Sequence, residues 1–279
     1  MKLTSYNQFG SELRHEGIRT AAEHAARLGF EWVETIDMVP ARTRMPIYER
    51  NDADECARIL ESYGLRVACS SIALERCDLC GAAEMEEMYR QIEFAARIGS
   101  PCFHHTLVLP LAPLPDAPTY DRMLQAVLPN AKKIAARCKE YGLQCLYEPQ
   151  GMFFNGVAGV RGILDAVGAE YDNVGVCMDL GNSMFVDVPP IEVVRALGNR
   201  TKHVHAKDYI RRDAPIEGVK GHFSRGGAWL SDCALGEGVC DLAACLALLR
   251  EAGYDGTVSI ELDGDDDGIR RSMEYLNSL

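Results

Sequence analysis

Along the chain an amphipathic run repeatedly ends in glycine, and an extended apolar run begins within a few residues. Gly29, Gly64, Gly99, Gly142, Gly168, Gly198 and Gly253 hold this place. A glycine just past a helix supplies the left-handed backbone that stops the helix and turns the chain. The helical side shows in the periodicity: Leu124, Val127, Leu128, Ala131, Ile134, Ala135 and Cys138 share one face, with Lys132, Lys133 and Glu140 elsewhere. The extended runs predict eight strands at Leu3–Asn7, Trp32–Ile36, Arg66–Ile72, Cys102–Leu107, Gln144–Glu148, Val174–Asp179, Lys202–Lys207 and Thr257–Leu262. Strand and helix alternate from end to end, which implies parallel strands joined by helical crossovers. Eight such units within residues 1–279 predict one α/β domain, a closed (β/α)8 TIM barrel rather than an open sheet. No G-x-G-x-x-G follows the first strand, which argues against dinucleotide binding. The segment at about 209–238, irregular in pattern, lies between the seventh strand and its helix and reads as a functional insertion. Trp32, inside a strand, is expected in the core.

Composition narrows the class of partner. With 47% apolar and 25% charged residues the chain has the makings of a packed core, and 29 basic against 41 acidic side chains leave it at −12. A polyanion repels nucleic acid and anionic membrane surfaces, so a small molecule is the expected partner. The uncharged stretch 98–115 contains four prolines and two histidines and does not read as a membrane span. No basic and apolar leader opens the sequence, and the odd number of cysteines, 11, sits largely in apolar runs, where reduced Cys acts as a small hydrophobe. A cytoplasmic protein without required disulfides is expected. Cys77 and Cys80 have zinc-knuckle spacing but no second pair. His15 and His24 fall on predicted surface and need no role.

The chemistry lies at the ends of four late strands, where Glu148, Asp179, His205 and Glu261 stand. Side chains alternate faces in a strand. Counting back by twos, these four share a face with Leu146, Cys177, His203 and Ser259, while the opposite faces carry Tyr147 and Cys145, Met178 and Val176, Ala206 and Val204, and Ile260 and Val258. The apolar faces suit the helix layer. Three carboxylates and one imidazole therefore point inward at the C-terminal mouth, where barrel active sites are built. Buried without compensation, each carboxylate costs several kcal/mol or takes up a proton; one divalent cation satisfies them together. Three oxygens and one nitrogen suit Mn2+, Mg2+ or Co2+ better than a structural zinc site.

These residues resemble a known family over essentially the whole chain: the xylose isomerase-like barrels, which include sugar phosphate isomerases and epimerases, ketose 3-epimerases, inosose dehydratases and endonuclease IV. The resemblance rests on Glu148-Pro149, Asp179-Leu180-Gly181-Asn182, the run from His203 to Asp208, Gly236-Glu237-Gly238, and the run from Gly256 to Glu261. It implies that Glu148, Asp179, His205 and Glu261 are the ligands of one divalent metal ion, with Mn2+ first and Mg2+, Co2+ or Zn2+ as alternatives. It also implies that Glu148 and Glu261 form the acid/base pair, that Arg211 grips the substrate, and that the protein is a homodimer or homotetramer. Two positions depart from the ketose 3-epimerase pattern: Asn182 replaces a substrate-binding His and Phe154 replaces a second Glu. Both bear on substrate recognition and leave the metal set intact.

The expected function is a metal-dependent isomerase or epimerase of a sugar, keto-sugar or sugar phosphate, acting through a metal-stabilised enediolate. The nearest alternative is a lyase or dehydratase on a keto-cyclitol or 3-keto-glycoside; more distant ones are an abasic-site endonuclease and a non-catalytic sugar-binding barrel. Further substrate-binding candidates are Asn182, Lys207, which shares the inward parity of His205, His104, Glu34 at the close of the second strand, and His222 and Trp229 in the insertion, read as a mobile cover.

Overall fold

Eight short apolar segments, each too short to hide its own backbone, pair edge to edge until no edge is left. They are β1 (Leu3–Ser5), β2 (Trp32–Val39), β3 (Arg66–Leu74), β4 (Cys102–His105), β5 (Gln144–Tyr147), β6 (Val174–Asp179), β7 (Thr201–Ala206) and, after an insertion containing β8 (Tyr209–Arg212), β9 (His222–Phe223) and β10 (Trp229–Asp232), β11 (Val258–Ile260). The closed order is β1-β11-β7-β6-β5-β4-β3-β2, and every barrel pairing is parallel. The ring closes where Ser5 faces Ile260 on one side and Val33 on the other. The computed structural model describes the chain except residues 42–44, 112, 113, 115 and 117; Pro113 and Pro115 of the uncharged 98–115 stretch therefore lie outside the described residues. The expected (β/α)8 barrel is the observed fold.

Helices return the chain between strands, several opened by a side-chain cap: Asp52 accepts from the Glu55 amide, Thr119 from Arg122 and Asp241 from Ala244. Five of the seven expected glycines, Gly29, Gly64, Gly99, Gly142 and Gly253, have positive φ. Gly168 and Gly198 do not. Gly168 is the last residue of its helix and packs near Val174, and Gly198, at φ −55°, passes straight into a 3-10 turn. No helix among the described residues is long and apolar enough to cross a membrane.

The strand parity is as expected. Cys145, Tyr147, Val176, Met178, Val204, Ala206, Val258 and Ile260 join the core under the helices, whereas Cys69, Cys102, Leu146 and Cys177 form a separate small cluster within the barrel. Two residues on from each member of that inner floor stand Ser71, His104, Glu148 and Asp179. One step of strand period thus separates an apolar floor from a polar layer. The cysteines are free.

Five expectations change. β1 stops at Ser5 because Asn7 opens a helix, and β2 runs on to Val39, so Glu34 lies inside the strand rather than at its end. Trp32 is half-buried with the Arg66 guanidinium 4.2 Å over its ring, because it starts its strand at the rim. His24 is half-buried, held by Glu12 and Asp266. The insertion is a three-stranded antiparallel sheet, β8-β10-β9, in which Leu230 pairs with Arg211 and His222.

Candidate metal centre and active site

Neighbouring strands bring the four strand-end residues together: Asp179 of β6 lies beside His205 of β7, and His205 beside Ser259 of β11. One donor atom from each of Glu148, Asp179, His205 and Glu261 lies within 4.8 Å of the others. His205 is fully buried, Asp179 1% and Glu148 6% exposed, so water does not spread their charge. Each side chain is oriented by a partner on its far side. Asp179 Oδ1 accepts from the amides of Gly181, at 2.7 Å, and Asn182, which leaves Oδ2 without a protein partner. Glu261 Oε1 accepts from Lys207 Nζ at 2.5 Å, while Oε2 stands 3.3 Å from His205 Nδ1 without forming a hydrogen bond. Glu148 Oε1 lies 2.8 Å from the same Nδ1, and its Oε2 is 3.4 Å from His104 Nε2. Tyr6 stacks on the His205 ring at 4.6 Å.

The electrostatics match an incomplete site. Burial, then Glu261 and Glu148, pushes the Asp179 carboxyl well above the usual range, and burial raises Glu148. Burial opposes a charge on Glu261, but Lys207 and His205 outweigh it and hold that carboxyl low. Burial likewise opposes a charge on His205, yet Cys177 and Glu34 carry its pKa well above the ordinary imidazole value. The cluster thus attracts a proton to the space its donors face. Two orphaned buried carboxylate oxygens, a third carboxylate and an imidazole nitrogen directed at one point fit a divalent cation of the hard or borderline kind.

Above the cluster opens a cavity of about 1020 Å³ lined by Asn182, Lys207, His222 and Glu261, with Asp232 and Phe223 of the insertion. Asn182 holds Tyr209 Oη through Oδ1 at 3.1 Å, and its buried Nδ2 has no protein partner. Trp229 does not line the cavity; it packs against Phe223, ring centroids 5.0 Å apart, because it faces the neighbouring strand β9. Arg211 is exposed on β8 and does not line the cavity either. Glu34 lies below the cluster, fully buried, and meets His205 Nε2 at 3.0 Å. Cys77 and Cys80 belong to a turn whose carbonyls accept from Asn130, and no metal cluster among the described residues includes them.

Sequence reasoning passed over Tyr6, Ser71, Ser259 and Asp232. The signal for three was present: Ser71 and Ser259 stand two residues after Cys69 and Thr257 on inward faces, and Tyr6 two after Thr4. Asp232 becomes visible only once the insertion is seen as a sheet. The motif residues Asp208 and Gly236-Glu237-Gly238 turn out to hold one another. Asp208 Oδ2 accepts from both glycine amides at 3.0 Å, and a Cβ on Gly238 would fall 2.1 Å from Asp208 Oδ1. They fasten the end of the insertion beside the site.

The chain belongs to the family described as xylose isomerase-like TIM barrel, whose model matches residues 22–279. A curated relative, inosose dehydratase from Lacticaseibacillus casei, is 24% identical over 140 residues, 48% of this chain and 45% of that protein. The match thus spans about half of either protein. The structure of D-allulose 3-epimerase from Methylomonas sp. superposes with a TM-score of 0.76 at 17% identity, covering 100% of this chain and 97% of that one. A protein named IOLI, solved with a zinc atom bound, gives 0.75 at 16% identity, with 100% and 97% covered. At these identities the structures establish the shared fold.

Proposed function

We propose that the protein is a divalent-metal-dependent isomerase or epimerase of a sugar, keto-sugar or sugar phosphate, with Mn2+ as its ion. The observation that supports this is the convergence of three carboxylates and one imidazole on one point beside a cavity that Glu261 lines, two carboxylate oxygens having no protein partner. A carbon next to a carbonyl gives up its proton only when the electron pair left behind is stabilised, and a bound divalent cation supplies that positive charge. The rest falls to the chain. Glu148 and Glu261 both flank His205 Nδ1, at 2.8 and 3.3 Å, so one carboxylate is available to take the substrate proton and another to return it. Lys207, which lines the cavity and is ion-paired to Glu261, holds a substrate oxygen, and Asn182 and His222 bind further hydroxyls. The same reading includes a cytoplasmic enzyme that assembles as a homodimer or homotetramer.

Glu148→Gln and Glu261→Gln should each leave a folded protein that no longer exchanges the substrate's α-proton with solvent deuterium. Retained exchange in both would overturn the acid/base assignment. The Lys207 ammonium beside Glu261 favours a second reading, a lyase or dehydratase, because it is placed to protonate a departing hydroxyl. Product mass separates the two: an isomer keeps the substrate's mass, whereas elimination loses water or an aglycone.

A further inference from the structure

Beneath the proposed metal centre, Glu34 receives four contacts. Ser71 Oγ and Ser259 Oγ lie 2.5 Å from its two oxygens, His203 Nε2 2.8 Å from Oε2 and His205 Nε2 3.0 Å from Oε1. The residue is fully buried, in the stretch where β2 shifts register against β3 between Val33 and Glu34. A carboxylate only accepts hydrogen bonds, so every one of these contacts must be donated to it. His205 therefore carries a proton on Nε2, and the nitrogen it turns to Glu148 and Glu261 is Nδ1. Ser71 has one hydroxyl proton, which goes to Glu34. Its 2.9 Å contact with His104 Nδ1 must then be donated by the imidazole, and the His104 lone pair sits on Nε2, the atom 3.4 Å from Glu148.

From this chain of donors we infer that Glu34 is a positioning residue, not a substrate ligand: one buried carboxylate holds a proton on Nε2 of His205 directly and on Nδ1 of His104 through Ser71, so that an ion can take His205 only through Nδ1 and His104 turns its lone pair toward Glu148. His205 Nδ1, 2.8 Å from Glu148 Oε1, is thereby the nitrogen that gives up its proton to an arriving ion, and His104 is an acceptor beside Glu148. Partners on the far side of a metal-binding histidine fix its ring and tautomer in this way. The inference rests on the metal reading above for its consequence, but the tautomers themselves are measurable without it.

The test is nitrogen-15 NMR of the full chain labelled at histidine, together with calorimetric titration of Zn2+ and Mn2+. In the zinc-loaded protein, His205 should show a protonated Nε2 and His104 a protonated Nδ1. Ser71 and His205 both donate to Oε1 of Glu34, which a Gln oxygen would replace, so the informative change is Glu34→Met, which has no oxygen acceptor: both preferences should be lost and ion affinity should fall about 10- to 100-fold. Ser71→Ala, a smaller change, should release the His104 tautomer while ion affinity stays within about twofold of the wild type. The inference is overturned if the wild type shows the opposite tautomer at either histidine, or if folded Glu34→Met binds the ions as tightly as the wild type. Should Glu34→Met fail to fold, the Ser71→Ala spectra decide it: an unchanged His104 tautomer overturns it. If the wild type binds no stoichiometric ion, the proposed function fails, and the His104 tautomer of the ion-free protein still decides the donor chain.

Discussion

Two polar clusters lie one above the other in the barrel and share His205, yet they are built on opposite principles. The lower one surrounds Glu34 with four donors and leaves neither of its oxygens unused. The upper one sets Glu148 and Glu261 against a single imidazole nitrogen, with Asp179 beside them, and leaves Asp179 Oδ2 and Glu261 Oε2 without partners. A fully satisfied network rigidifies, whereas a partly satisfied one in low dielectric costs free energy. The difference marks which cluster the protein completes by itself and which is completed from outside.

The largest effect separating them is on turnover. Replacing Glu148 by Gln removes a proton acceptor without disturbing its neighbours' positions, and the rate of α-proton exchange should fall by about 10²- to 10⁴-fold. The melting temperature should move little. A loss of stability as large as that in a Glu34 variant would mean the upper cluster is structural after all.

The second effect is one of sign. Asp179→Asn keeps the oxygen that accepts from the Gly181 and Asn182 amides but removes an uncompensated buried charge. In ion-free protein near pH 8 it should raise stability by about 1–3 kcal/mol, while Glu34→Gln lowers it by a similar amount. The pH dependence follows from the raised Asp179 pKa. Its folded value lies above the unfolded value of about 3.9, so in the ion-free wild type its contribution to stability is complete below that pH and is lost as pH rises through the folded value. Asp179→Asn should lack that decline, and saturating Mn2+ should abolish it in the wild type. Thermal unfolding between pH 4 and pH 8 reads all three; parallel curves for wild type and variant would remove the contrast.

Ion binding sharpens the comparison further. Glu148, Asp179 and His205 all have raised pKa values, so an ion must displace protons that the cluster holds. Affinity should rise by about tenfold per pH unit for each proton displaced. Calorimetry in two buffers of different ionisation enthalpy counts those protons directly, and a count of zero would contradict the raised values.

Much of this contrast was legible in the sequence, and the part that was not has a physical reason. Periodicity of two places Glu148, Asp179, His205 and Glu261 on inward faces, and parity needs only that each strand keep its register to the mouth. The lower cluster escaped because the length of β2 is set by pairing with β3, which carries it to Val39 and moves Glu34 from the rim into the interior. The serines that hold Glu34 look like ordinary small strand residues until their neighbours are known. The insertion escaped for a similar reason. Its strands are short, and β9 is two residues long, too brief for any alternation to show. The order there comes from pairing and from Asp208 fastening the glycine turn.

The smallest effect extends the comparison to the outer surface, where His24 joins three helices. Its ring contacts Glu12 on one nitrogen and Asp266, at 3.1 Å, on the other, so residues far apart in sequence meet beside the barrel's closing strands. Burial opposes its charge, but the bonds to Glu12 and Asp266 outweigh that and raise its pKa above 6.5. A raised imidazole value contributes stability that is complete below the unfolded pKa and disappears as pH climbs through the folded one. The side chain is partly open to solvent, so the contribution should be no more than about 1 kcal/mol. His24→Gln should therefore lower the melting temperature at pH 5.5 by about 2–4 °C and hardly at all at pH 8.5. The Asp179 decline begins above its unfolded value of about 3.9 and the His24 decline above about 6.5, so the two begin at different points on one pH axis. An Asp179→Asn, His24→Gln double variant should show neither decline, because the two sites share no partner and their effects add.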